Sequence, residues 1–116
     1  MISLDEVMNL HYELEDLKLC RPGILHPDLL ESAIAGQQWY ESTFDKYVHV
    51  ASSINSNHIF NDGNKRICYM VIKELSKYGY YFDNDKLSDL ILLLAKSKIT
   101  KDQFMSQIKD CIYKPD

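Results

Sequence analysis

The sequence predicts an all-α protein, a compact single-domain helical bundle of about six helices with a short flap near residues 21–27. Apolar residues recur at spacings of three and four over most of the 116 residues, and the two segments that break this rhythm are dense in Pro, Gly and Asn. With 46% hydrophobic and 11% aromatic residues, the chain also has enough apolar side chain to bury a core, so residues 1–116 are expected to form one domain.

The elements follow in order. Leu4, Val7, Leu10 or His11, Leu14 and Leu17 define one face of a first helix. Cys20 to Pro27 holds two prolines and a glycine, which makes it a loop; Gly23, Ile24 and Leu25 could run extended there as a strand or flap. Pro27 suits the first turn of the next helix, where its missing N–H costs nothing, and Leu29, Leu30, Ala33 and Ile34 supply that helix's buried face. Trp39 and Tyr40, just after an apolar helix, are expected in the core. A third helix carries Tyr47, Val50, Ala51 and Ile54, and Asn55 to Asn64 is a second break. A fourth series, Ile67, Met70, Val71, Leu75 and Tyr78, stops at Gly79, around which Tyr78, Tyr80, Tyr81 and Phe82 seat the connection to the next helix. Asp83-Asn84-Asp85 reads as a helix cap, since an EF-hand's glycine and terminal glutamate do not follow; Leu87, Leu90, Ile91 and Leu94 continue as the fifth helix. The last, with Phe104, Met105, Ile108 and Ile112, opens at Thr100-Lys101-Asp102-Gln103, which has the form of a capping box.

Charge and cysteine usage narrow the function classes. Thirteen Lys and Arg against 17 Asp and Glu give a net charge of −4, and the longest basic run is Lys65-Arg66, so no nucleic-acid partner is expected. Cys20, Cys68 and Cys111 form no CxxC pair and leave one unpaired in any disulfide scheme, which suits apolar packing in a reducing compartment. There is no basic, apolar leader at the N-terminus, and the longest apolar run is Leu90 to Ala95; no membrane partner and a cytoplasmic location are expected. His11, His26 and His49 have no zinc-ligand spacing.

The chemistry concentrates in His58-Ile59-Phe60-Asn61-Asp62-Gly63-Asn64-Lys65-Arg66. A helix N-terminus offers unpaired N–H groups and a positive dipole end, which attract anions. Gly63 lets the backbone approach a phosphate, Asn64 can cap the helix or donate its amide, and Lys65 and Arg66 add charge-assisted donors. Asp62 supplies the hard oxygen that magnesium takes beside nucleotide phosphates, and His58 can accept a hydroxyl proton near neutral pH. Were this only a well-capped polar loop, the cations of the helix's first turn would oppose its dipole at roughly 0.3–1 kcal/mol each; a bound anion removes that penalty.

This stretch resembles the H-x-F-x-[D/E]-G-N-[G/K]-R motif of the Fic/Doc superfamily, met at His58, Phe60, Asp62, Gly63, Asn64 and Arg66, while Lys65 makes it similar to the Doc (death-on-curing) branch. Arg21-Pro22-Gly23-Ile24 and Leu29-Leu30-Glu31-Ser32-Ala33 are similar to the family's flap and the helix after it. The resemblance implies a Fic/Doc-type bundle. In the Doc branch it implies the toxin of a toxin–antitoxin pair, a kinase that moves the terminal phosphate of ATP, with Mg2+, to a Thr or Ser hydroxyl of a translation factor such as elongation factor Tu and so arrests translation. Carried over residue by residue, His58 is the catalytic base, Asp62 the metal ligand, Gly63, Asn64, Lys65 and Arg66 the nucleotide-phosphate cradle, and Phe60 the loop's structural anchor; Gly23, Ile24 and Leu25 would form a flap that holds the target peptide by strand pairing.

Departures from the family pattern sharpen this reading. AMP-transferring members continue R-x-x-R, but three residues after Arg66 stands Tyr69; Gly63 keeps the Fic-like residue where Doc commonly has alanine. Self-inhibited members carry a glutamate followed by Gly or Asn, and no glutamate here is so followed, which implies a separate antitoxin protein. The alternatives are a Fic-type protein adenylyltransferase and a catalytically silent domain that binds nucleotide or a partner.

Overall fold

The computed structural model describes residues 1–115 and contains six α-helices, three short 3-10 turns and one two-stranded sheet. Helix α1 (Leu4–Asp16) starts with a capping box: the Glu6 N–H donates to Ser3 Oγ at 3.1 Å, and the Ser3 N–H donates to Glu6 Oε1 at 3.2 Å. It buries Val7, His11 and Leu14. Leu17, expected on that face, caps the helix end instead and is 68% exposed.

Helix α2 (Pro27–Gly36) begins with Pro27 and buries Leu30 and Ala33, while Leu29 faces outward. A 3-10 turn, Gln37–Trp39, follows. Its inward position belongs to Gln37, whose amide accepts from the Ile2 N–H at 3.0 Å and donates to the Ile2 carbonyl at 2.8 Å. That turn carries Trp39 outward, 80% exposed, contrary to its expected place in the core; Tyr40 is half-buried against the His49 ring.

Helix α3 (Thr43–Asn57) is the central element, packed by α2, by α4 (Asn64–Lys73), by α5 (Asn84–Ala95) and by α6 (Lys101–Gln107). Ser42 caps it, accepting from the Asp45 N–H at 3.0 Å. Inside the expected break, α3 continues through Asn55, Ser56 and Asn57: Asn55 is buried and donates to the Ile91 carbonyl of α5 at 2.9 Å, so tertiary packing outweighs its turn preference. Ile54, Ile59, Phe60, Ile67, Val71, Leu87 and Phe104 are among the fully buried side chains of the core.

After Lys73 the fourth helix tightens into a 3-10 turn, Glu74–Tyr78, and ends at the left-handed Gly79. Tyr81 and Phe82 then form strand β1, antiparallel to β2 (Ile112–Tyr113), with Phe82 opposite Ile112. Ile112 was expected in the last helix. That helix stops at Gln107, passes through a 3-10 turn at Ile108–Asp110, and Ile112 is drawn into strand pairing instead. Asp83 caps α5, accepting from the Lys86 N–H at 3.2 Å, and the Thr100–Gln103 capping box starts α6.

Candidate functional site

The turn between α3 and α4 is shaped by two left-handed residues. His58 ends α3 at φ 48°, and Gly63 precedes α4 at φ 83°. Glycine is required at the second of these for two reasons: the backbone conformation strains any L side chain, and a Cβ would lie 3.0 Å from Cys20 Cβ. Between them Ile59 and Phe60 are buried, so the chain dives into the core and returns, which leaves His58 exposed at one rim and Asp62 41% exposed at the other.

Asn64 holds that excursion closed. Its side-chain oxygen accepts from the Phe60 N–H at 2.9 Å and its nitrogen donates to the Phe60 carbonyl at 2.8 Å. Gly63, not Asn64, therefore occupies the cap position of α4, and the Asn64 amide that could have reached a phosphate is engaged within the loop. What remains for an anion is the set of free backbone N–H groups at the start of α4, with Lys65 and Arg66 exposed in its first turn.

Asp62 is the loop's carboxylate. The Arg21 backbone N–H donates to its Oδ2 at 2.8 Å, and the Arg21 guanidinium lies 3.8 Å from the same atom. The Arg21 N–H first, then the Gly63 N–H and the charges of Arg21 and Arg66, hold its carboxyl below the ordinary value against a smaller opposing effect of desolvation. It is thus ionised throughout the neutral range. Among the described residues no group of three His, Cys, Asp or Glu side chains is arranged to hold a metal ion, so a divalent ion here would take Asp62 together with phosphate oxygens and water, the coordination magnesium prefers. The residues present fit that ion.

Gly23, Ile24 and Leu25 lie along this loop. The Leu25 N–H donates to the Ile59 carbonyl at 2.7 Å and the Asn61 N–H to the Gly23 carbonyl at 3.1 Å, making Ile24 and Phe60 an isolated antiparallel bridge. The flap is pinned to the loop by its inner edge. The Ile24 N–H and carbonyl have no hydrogen-bond partner among the described residues and stand on the outer edge.

Two open cavities flank Lys65. One, of about 250 Å3, is lined by His58, Asp62, Gly63 and Asn64 together with Ala95 and Lys96 from the end of α5. The other, of about 420 Å3 and largely apolar, runs past Arg66 between Leu14, Met70 and Leu92.

Several supporting residues escaped the sequence reading. His11 is fully buried, stacks on the Phe60 ring at 4.1 Å, and places Nδ1 2.9 Å from Glu15 Oε2 and Nε2 3.2 Å from the Asp62 carbonyl. Its only signal was its place in the apolar rhythm of α1. Arg21 acts on Asp62 chiefly through its backbone, which no residue type announces. Asn55 lines the smaller cavity from α3, and Lys96 does so from α5.

A helical bundle whose left-handed glycine, helix N-terminus, Lys65 and ionised carboxylate converge on one cavity, with Arg66 beside it on the next, has the makings of a phosphate-handling domain. The chain belongs to the Fic/DOC family, whose model matches residues 2–76, from the start of α1 into the turn after α4. Membership makes it a transferase that places nucleotide-derived groups on proteins, in a family that typically uses ATP, usually with a divalent metal. No curated protein matches the chain. No helix among the described residues is long and apolar enough to cross a membrane.

Proposed function

We propose that this protein is a Doc-like kinase toxin: residues 1–116 act as one Fic/Doc domain that transfers the terminal phosphate of ATP to a Thr or Ser hydroxyl of a translation factor such as elongation factor Tu, in the cytoplasm, under the control of a separate antitoxin. The observation that carries the kinase over the adenylyltransferase is the pairing of Lys65-Arg66 with Tyr69. Where AMP-transferring members hold a second phosphate-binding arginine, Tyr69 directs its hydroxyl at Asn84 Oδ1, 3.0 Å away, and Lys73 donates to the same atom.

In this reading His58, exposed at the rim, takes the proton of the target hydroxyl as its oxygen attacks the terminal phosphorus; the bond from that phosphorus to the bridging oxygen breaks and ADP leaves. Lys65, Arg66 and the N–H groups at the start of α4 bind and orient the phosphates. Asp62 would hold Mg2+, which supplies charge neutralisation between phosphates when bound. Phe60, fully buried beneath His11, anchors the loop so that His58 and Asp62 keep their spacing. Gly23, Ile24 and Leu25 offer the outer strand edge to the target peptide.

A second reading, protein adenylylation, draws on Gly63, which this chain shares with the Fic branch. Incubation with a candidate translation factor, ATP and magnesium, followed by intact-mass measurement, separates the two: a phosphate-sized addition supports the kinase and an AMP-sized one replaces it. His58→Ala should abolish either addition while leaving the helical circular dichroism unchanged. Absence of any addition, with growth unaffected by expression, would leave a catalytically silent binding domain.

A further inference from the structure

The cavity beside His58 is bounded by more than the loop. Its opposite wall is the end of α5, where Lys96 caps the helix, and α5 lies beyond residues 2–76 that match the family model. Lys96 is exposed and makes no ion pair among the described residues. Asn55 lines the same space from α3. It is fully buried, its nitrogen is committed to the Ile91 carbonyl, and its Oδ1 has no partner among the described residues.

A buried acceptor without a donor is unfavourable, and Asn55 is one of the residues lining this cavity. A triphosphate also carries more negative charge than Lys65 and Arg66 offset, and in phosphoryl transfer that charge spreads over the oxygens of the moving group. A lysine ammonium has three donors, enough to serve phosphate oxygens and an amide oxygen together.

We propose that Lys96 is a further phosphate-binding residue, meeting the nucleotide's phosphates across the cavity from Lys65, with Asn55 Oδ1 accepting one of its ammonium protons and fixing its direction. This rests on the nucleotide-binding reading of the loop. The competing role for Lys96 is only to offset the negative end of the α5 dipole, which would affect stability and not nucleotide affinity.

The test is calorimetric titration of ATP with magnesium into the full chain carrying His58→Ala, so that no turnover intrudes. Adding Lys96→Ala should weaken binding about tenfold, the loss of one charge-assisted contact, and Lys96→Arg should restore most of it. Lys98→Ala removes the same charge from an exposed neighbour outside the cavity lining and should change affinity less than about twofold. Asn55→Leu should weaken binding by a few-fold and add little on top of Lys96→Ala; if that variant does not fold, the Lys96 series decides alone. Equal effects of Lys96→Ala and Lys98→Ala would overturn the role of Lys96 while leaving nucleotide binding intact. Failure of the His58→Ala protein itself to bind ATP would overturn the nucleotide reading and this assignment with it.

Discussion

Asn64 and Phe60 form a closed ring of two hydrogen bonds, side-chain amide to backbone amide, across the first half of the loop that carries the candidate site. Phe60 is buried, so its N–H and carbonyl depend on that one side chain. Removing the amide with Asn64→Ala strands both, which is expected to cost about 1–3 kcal/mol in urea unfolding. Asn64→Asp keeps the acceptor and loses the donor, and should fall between wild type and alanine. A null effect of Asn64→Ala on the midpoint would show that the loop is held by its apolar anchors alone.

Gly63→Ala tests backbone and packing together. The left-handed conformation costs an L residue about 1–2 kcal/mol, and the new methyl presses on Cys20 Cβ, 3.0 Å from its ideal position. Adding Cys20→Gly should return the packing part and leave the backbone part. The double variant is therefore expected to be more stable than the sum of the two single changes, read from a thermodynamic cycle in denaturant. Strict additivity would sink the claim that the two side chains meet.

His11 joins α1 to the loop by stacking on Phe60 and by facing the Asp62 carbonyl. His11→Ala leaves a void against the Phe60 ring and an unpaired carbonyl, an expected loss of about 2–4 kcal/mol. The same change is expected to lower transfer activity more than Phe104→Ala, a core substitution of at least equal cost far from the site. Equal activities in folded His11→Ala and Phe104→Ala proteins would confine His11 to stability.

His49 sets a pH dependence of its own. Burial first, and then the Lys101 charge, push it from 6.5 down to about 4, against a smaller upward pull from the Ala33 backbone. Its Nδ1 accepts from Lys101 Nζ at 2.6 Å, so the folded protein holds the ring neutral. Between those two values the unfolded chain binds a proton that the folded chain does not. The contribution of His49 to stability is therefore full above pH 6.5 and declines as pH falls towards about 4. Thermal melts of wild type and His49→Gln across this window should converge as the pH drops; parallel curves would refute the assignment.

The fold was legible where local rules dominate. Thr100 with Gln103 announces a helix start by its own chemistry, and Gly79 announces a stop. Trp39 and Ile112 were misplaced because their positions are set by neighbours: Gln37 reaches back to Ile2, and Ile112 is captured by Phe82. The residue types of the site were legible as one run from His58 to Arg66. The engagement of Asn64 within the loop, the Arg21 N–H on Asp62 and the His11 contact were not, since each is a pairing and not a pattern.

The partners of the loop are scattered widely along the chain: His11 lies 51 residues from Asp62, Arg21 lies 41 from it, and Asn55 reaches Ile91 across 36. Each such contact requires a long loop to close before it returns any energy, which makes it slow to form and late to appear. During synthesis from the N-terminus, the run from His58 to Arg66 leaves the ribosome before α5 emerges to face it. The cavity then has only one wall, and the second arrives only once the chain has passed Lys96.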